Sequence, residues 1–215
     1  MAIVFVRETD YEYTRLKKNI FEIISALDND VIKSGNRVLI KPNFLEPAMI
    51  DQAITTHPLI IKIVSEYVLD KGGRVIISDS PGRGKLKKTM KECGVLDVIN
   101  GMDVEIRDFI ESKEIYVDSN IKKIEIAKDV FEADVIINLP KLKTHSQMML
   151  TLAVKNLFGC VIGLKKTRVA KKLKFDYDKC IRCYCCLEVC PHSAINIEEP
   201  SLRRLISYVG SKLIG

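Results

Sequence analysis

Short β-branched runs recur through the first two thirds of the chain, with helix-period segments between them. The runs are AIVFV from Ala2, RVLI from Arg37, RVIIS from Arg74, VEIRDF from Val104 and DVIINL from Asp134. Leu16, Ile20, Ile23, Ile24 and Leu27 form one apolar stripe at helical spacing, and Ile60, Ile61, Val64, Tyr67 and Val68 form another. Strands that alternate with amphipathic helices need crossover connections. The pattern therefore predicts an α/β fold, a mostly parallel sheet with helices on both faces. IKKIEIA from Ile121 adds a further strand, which can run antiparallel to the others.

Candidate chemistry gathers where the strands end. The second run passes into KPNFLEP, the third into DSPGRGK and the fifth into LPKLKTH. Ligands of open parallel sheets bind beyond the carboxyl ends of the strands, so these loops are expected to converge on one site. Lys41, Asn43, Asp79, Ser80, Gly82, Gly84, Lys141 and Lys143 are the candidate anion-binding residues. Gly82 and Gly84 loosen the backbone before a helix pattern, where exposed N–H groups beside Arg83 and Lys85 suit a phosphate or carboxylate. A tight turn with a solvated basic helix behind it accounts for the same residues. The spacing is neither a Walker motif nor the G-x-G-x-x-G of a dinucleotide fold. His57 in TTHP and His145 in LPKLKTH are the candidate catalytic acid/base groups. The bland alternative is a set of solvated lysines and locally hydrogen-bonded histidines.

At 215 residues the chain has room for one main domain and a small appendage. Its 47% hydrophobic and 29% charged residues are those of a folded protein. The opening apolar run is short and soon broken by charge, and no stretch approaches a membrane span, so the expected location is the cytoplasm. A net charge of +6 mildly favours anionic partners and lacks the clustering of a nucleic-acid binder. Abundant Lys, Glu and Ile with only two Gln give a compositional hint of a thermophile.

Seven cysteines in a chain without a visible leader point to metal or redox chemistry before disulfides. Cys180, Cys183, Cys186 and Cys190, followed by Pro191, match C-x2-C-x2-C-x3-C-P without a gap. Thiolates at this spacing wrap a cubane [4Fe–4S] cluster; zinc is the alternative, but its sites usually separate two C-x2-C pairs by a longer spacer. In two-cluster ferredoxins the last cysteine of such a run serves the other cluster, and the chain has no second run. Cys190 can close its own cluster, a distant thiol such as Cys160 or Cys93 can serve instead, or two chains can exchange Cys190 across a two-fold axis in a homodimer. Cys93 reads as a core thiol and Cys185 as a spare one. His192 reads as a local packing residue, and Met148, Met149 and Leu150 as a core edge.

Together VLIKPNF, TTHP, VIISDSPGRG, ADVIINLPKLKTH, AVKNLFG and CIRCYCCLEVCP resemble the family known as domain of unknown function 362, in its ferredoxin-bearing form. The resemblance covers residues 1 to about 165 and again from about 175, and it implies a cytoplasmic iron–sulfur protein with an α/β domain. Family members generally continue for a long stretch after KNLFG and carry two ferredoxin runs; this chain resembles one with that middle removed. The expected organisation is an α/β domain over 1–165, a basic linker over 166–175, a ferredoxin-type module over 176–199 and an amphipathic helix over 200–215. KKTRVAKKLK from Lys165 holds six basic residues in ten, a solvated linker or a dock for an acidic partner. Two functions follow as expectations. One is a redox enzyme or enzyme subunit that passes electrons to an anionic small molecule at the strand ends; the other is an electron-relay adaptor working with a redox partner protein. A cluster that acts only as a structural staple is a third.

Overall fold

The computed structural model describes residues 4–28, 30–82, 84–116, 123–145 and 149–162. Helix α1 (Tyr13–Asp28) leads to strand β1 (Arg37–Pro42), and α2 (Pro58–Asp70) crosses to β2 (Arg74–Asp79). Helices α3 (Leu86–Glu92) and α4 (Val95–Val98) precede β3 (Val104–Asp108). An antiparallel ribbon of β4 (Ser112–Tyr116) and β5 (Lys123–Ala127) follows, then α5 (Lys128–Glu132) and β6 (Val135–Leu139). A short hairpin of β7 (Lys143–His145) and β8 (Met149–Thr151) leads into α6 (Ala153–Leu157) and a 3-10 turn, Phe158–Cys160.

Strands β3, β2, β1 and β6 form one parallel sheet in that order. The chain moves from β1 outward through β2 to β3, then returns to place β6 on the other side of β1. The order thus reverses between β1 and β6, the kind of position where the loops leaving two neighbouring strands part and open a crevice.

The two-residue alternation of the strands divides the interior into two cores. Val38, Ile40, Val75 and Ile77 face Ile61, Val64, Tyr67 and Val68 of α2, with Ile20, Phe21 and Ile24 of α1 packed behind. Leu39 and Ile76 face the other way, toward Phe109, Ala127 and Cys160, with Val130 of α5 against them. Each fully buried aliphatic side chain contributes roughly 1.5–3 kcal/mol, so both layers are needed to hold the sheet. Helix α1 is fixed across α2 by Glu66, which accepts from the Tyr13 hydroxyl at 2.6 Å and pairs with Lys17 at 2.7 Å.

The expected parallel sheet is present, and helices do lie on both faces, although α5 shares the second face with the end of the β4–β5 ribbon and the 3-10 turn. AIVFV is a correction: its residues 4–6 are not in a strand, and Val4 and Val6 are exposed. A β-branched run becomes a strand only where it finds a strand to pair with, and propensity alone does not provide one. Leu27 is likewise exposed at the end of the α1 stripe. The antiparallel strand expected in IKKIEIA is β5, and its partner β4, SKEIY, is an addition to the expected elements, as are β7 and β8.

Candidate functional site

The strand-end loops meet around a buried ion pair. Lys41, the penultimate residue of β1, has a side chain only 1% exposed, and Asp79, the last residue of β2, one 3% exposed. The Lys41 ammonium donates to Asp79 Oδ1, to the Pro42 carbonyl at 2.9 Å and toward Asn156 Oδ1 at 3.4 Å. Asp79 also accepts from the backbone N–H of Phe44 at 2.8 Å and of Ser80 at 2.7 Å. A buried charge is tolerated only when paired and further hydrogen-bonded, and this pair meets both conditions. Lys41 and Asp79 therefore differ from the sequence expectation: the anion Lys41 holds is the chain's own carboxylate. Ser80 belongs to the same joint through its N–H.

The pair is closed by two residues to which the sequence reading gave no role. Asn156 of α6, buried, donates from Nδ2 to the Lys41 and Pro42 carbonyls, each at 3.2 Å, while Asn138 Oδ1 accepts from the same amide at 2.7 Å. Lys41 and Asn138 are register partners on β1 and β6, so one amide stitches the strands where the sheet order reverses. Gly159 lies against the pair itself: a Cβ there would stand 2.9 Å from Lys41 Nζ and 3.0 Å from Asp79 Oδ1. KNLFG is thus a lid whose asparagine bonds the strand ends and whose glycine leaves space for the ion pair. An uncharged amide three residues before a glycine was the available signal, but it gains meaning only from the tertiary contact.

Gly82 and Gly84 serve the neighbouring loop. A Cβ on Gly82 would approach the Leu45 carbonyl at 3.2 Å, and Gly84, at φ 81°, lies against the Pro47 ring. The loop after β2 therefore packs on the loop after β1, and its glycines answer to close approach and a left-handed turn. Arg83 lies outside the described residues.

A second cluster bridges the loops that leave β1 and β6. Thr56, buried, donates to the Leu139 carbonyl at 2.6 Å and accepts from the Asn43 N–H at 2.8 Å, bridging the loops that leave the two strands. The next residue, His57, caps α2: its Nδ1 accepts from the Leu59 N–H at 3.2 Å, with Pro58 at the first helical position. Its ring stacks on Tyr11, centroids 3.7 Å apart, and Lys141 Nζ reaches the Tyr11 hydroxyl at 3.4 Å. Lys143 donates to the Ile54 carbonyl at 2.6 Å. Among the described residues Asn43 Oδ1 is the one buried side-chain nitrogen or oxygen that meets no hydrogen-bond partner. The backbone of His145 pairs with Met149 at the end of β7.

Burial, followed by the charge of Lys141, holds His57 below the ordinary imidazole range and hence neutral. The unfolded chain then binds more protons as pH falls through the ordinary range, so His57 lowers stability from there down to its depressed folded value. Protonation also turns Nδ1 from acceptor to donor and removes the helix cap. Denaturant midpoints measured over this window should fall in the wild type and stay flatter in His57→Asn, whose amide oxygen can still cap; parallel pH profiles would count against the assignment.

Cys93 is fully buried, and burial raises its thiol above the usual range; Cys160 sits in the second core. Cys180, Cys183, Cys186, Cys190, Cys185, His192 and Met148 lie outside the described residues, as do the expected linker, module and terminal helix. Among the described residues no group of three or more His, Cys, Asp or Glu is placed to hold a metal, and no helix is long and apolar enough to cross a membrane.

No solved structure matches the chain. It is 32% identical over 167 residues to a thylakoid-associated protein of Synechocystis sp., a match covering 77% of this chain and 52% of that protein. The chain spans about half the length of that relative. Residues 38–197 match the family model described as a domain of unknown function, DUF362, a span that takes in the buried pair, its lid, Thr56, His57 and Lys141, and the cysteine run, and leaves out Tyr11. The chain belongs to the DUF362 family.

Proposed function

We propose that the protein is an iron–sulfur protein that transfers single electrons, with the crevice at the strand ends as the place where an anionic small molecule or cofactor binds. The observation that carries this reading is the cysteine run of Cys180, Cys183, Cys186 and Cys190, inside the span that matches the family. Four thiolates at that spacing fit a [4Fe–4S] cluster as a donor set. A bound cluster supplies one-electron chemistry. The chain's own residues supply the rest: the buried pair and Asn156 fix the geometry of the strand ends, and His57 and Lys141, both set against Tyr11, are the groups offered to a ligand.

Protein prepared anaerobically is expected to hold about four irons and about four sulfides per chain, with the broad visible absorption of a cubane. Cys183→Ser should abolish that absorption and leave the far-ultraviolet circular dichroism of the α/β sheet in place. Stoichiometric zinc without iron after anaerobic reconstitution would sink the proposal.

A further inference from the structure

We infer that the outer edge of β6 is a docking edge for the chain's own N-terminal run, which closes on it as a fifth parallel strand and so ties down the arm that carries Tyr11. The structure leaves both halves of this contact unmet. Val4 and Val6 are 80% and 86% exposed, a β-branched pair without a ladder. β6 stands at one end of the sheet order, and among the described residues no strand pairs with its far side. Backbone N–H and C=O groups along such an edge invite another strand unless charges guard them. The two ends of the sheet differ in this respect. β3, VEIRD, carries Glu105, Arg107 and Asp108, with Arg107 donating to Glu105 at 3.0 Å and to Asp129 at 3.5 Å. β6, VIINL, carries no charge and leaves Ile136 exposed.

Connectivity selects the same edge. β1 reaches β2 through α2, and α1 packs with α2 on one face of the sheet. A strand beyond β6 would reach β1 through α1 in the same direction across the sheet, with its helix on that same face, and so with the hand of β1–α2–β2. Beyond β3 it would need the opposite hand, which parallel crossovers avoid. The arm is already held in a matching place. Arg7 meets Glu22 of α1 at 3.9 Å, so the arm doubles back beside its helix as the strand of a βα unit does. Tyr11 stacks on His57 and contacts Lys141 at 3.4 Å, and Lys141 lies two residues beyond the end of β6. The segment from Val6 to Tyr11 spans up to roughly 17 Å when extended, which lets the run lie along β6 with its carboxyl end toward the strand ends.

The test is amide hydrogen exchange, read by NMR on the full 15N-labelled chain at several protein concentrations. In the wild type the β6 amides that point away from β1 should be protected, along with those that point toward it. A double variant, Val4→Pro with Phe5→Pro, removes a donor whichever of the two residues faces β6, because neighbouring strand residues point their N–H groups to opposite sides. The outward β6 amides should then exchange about tenfold faster or more, while the amides of β1 and β2 keep their protection and report an intact sheet. Outward amides that exchange in the wild type as fast as an open chain would overturn the inference, and this reading needs no variant. Protection that survives the two prolines would assign the edge to another segment and overturn it as well. Protection that grows with protein concentration, together with the mass of a dimer, would give the edge to a second copy in place of the chain's own arm.

Discussion

Asp79→Ala is expected to lower folding stability by about 3–5 kcal/mol, the range for removing one partner of a buried ion pair. Two effects add. The Lys41 side chain, 1% exposed, is left buried without its counterion, and the N–H groups of Phe44 and Ser80 lose the acceptor that fixes both loops. Urea denaturation of the two proteins measures the difference. The pair also predicts a coupling: Lys41→Met combined with Asp79→Asn should cost less than the sum of the single changes, because neither charge is then left alone. A loss of under about 1 kcal/mol for Asp79→Ala, the range of exposed pairs, would show that water reaches the joint.

Gly159→Ala is expected to cost about 1–3 kcal/mol, the usual penalty for overpacking. A methyl group there would stand 2.9 Å from Lys41 Nζ, closer than real contacts allow. A long lysine elsewhere would swing aside. This one is held by the Pro42 carbonyl, Asp79 and Asn156, so either the lid or the pair must shift. Thermal denaturation should show the loss, and the penalty should shrink in a Lys41→Ala background, where the space is free. An equal penalty in both backgrounds would place the strain elsewhere.

Much of the sheet was legible because its strands and first helices carry strong periods. RVLI and RVIIS are buried on both faces and read as continuous apolar runs, and the stripe from Ile60 to Val68 is a full helical face. SKEIY was not legible: an exposed ribbon strand with polar residues shows little alternation, and its pairing with β5 supplies the missing information. AIVFV misled in the opposite sense, since propensity does not say whether a run finds a strand to pair with. At the strand ends the structure brings Lys41, Asp79 and Ser80 together in one joint whose pairing the sequence did not announce. Lysine is rarely buried, so a lysine beside a proline after a strand reads as a ligand group; the carboxylate that neutralises Lys41 lies 38 positions away, and nothing local announces it. Asn156 and Gly159 are ordinary residues in a short helix and turn until the strand ends are placed beneath them.

The lid also orders events in time. Neighbouring strands β1 and β2 are joined by one helix and can pair early, whereas Asn156 reaches Lys41 across 115 positions of sequence. Such a contact closes a long loop and is expected late in folding, after the sheet it covers. On a ribosome, Lys41 and Asp79 emerge well before the residues that close over them, so the nascent sheet waits with its charged corner open to water. A lid added after the rate-limiting step should have little influence on how fast the chain folds and a large one on how long the native state lasts. Stopped-flow measurements on Gly159→Ala should accordingly show its penalty mainly as faster unfolding.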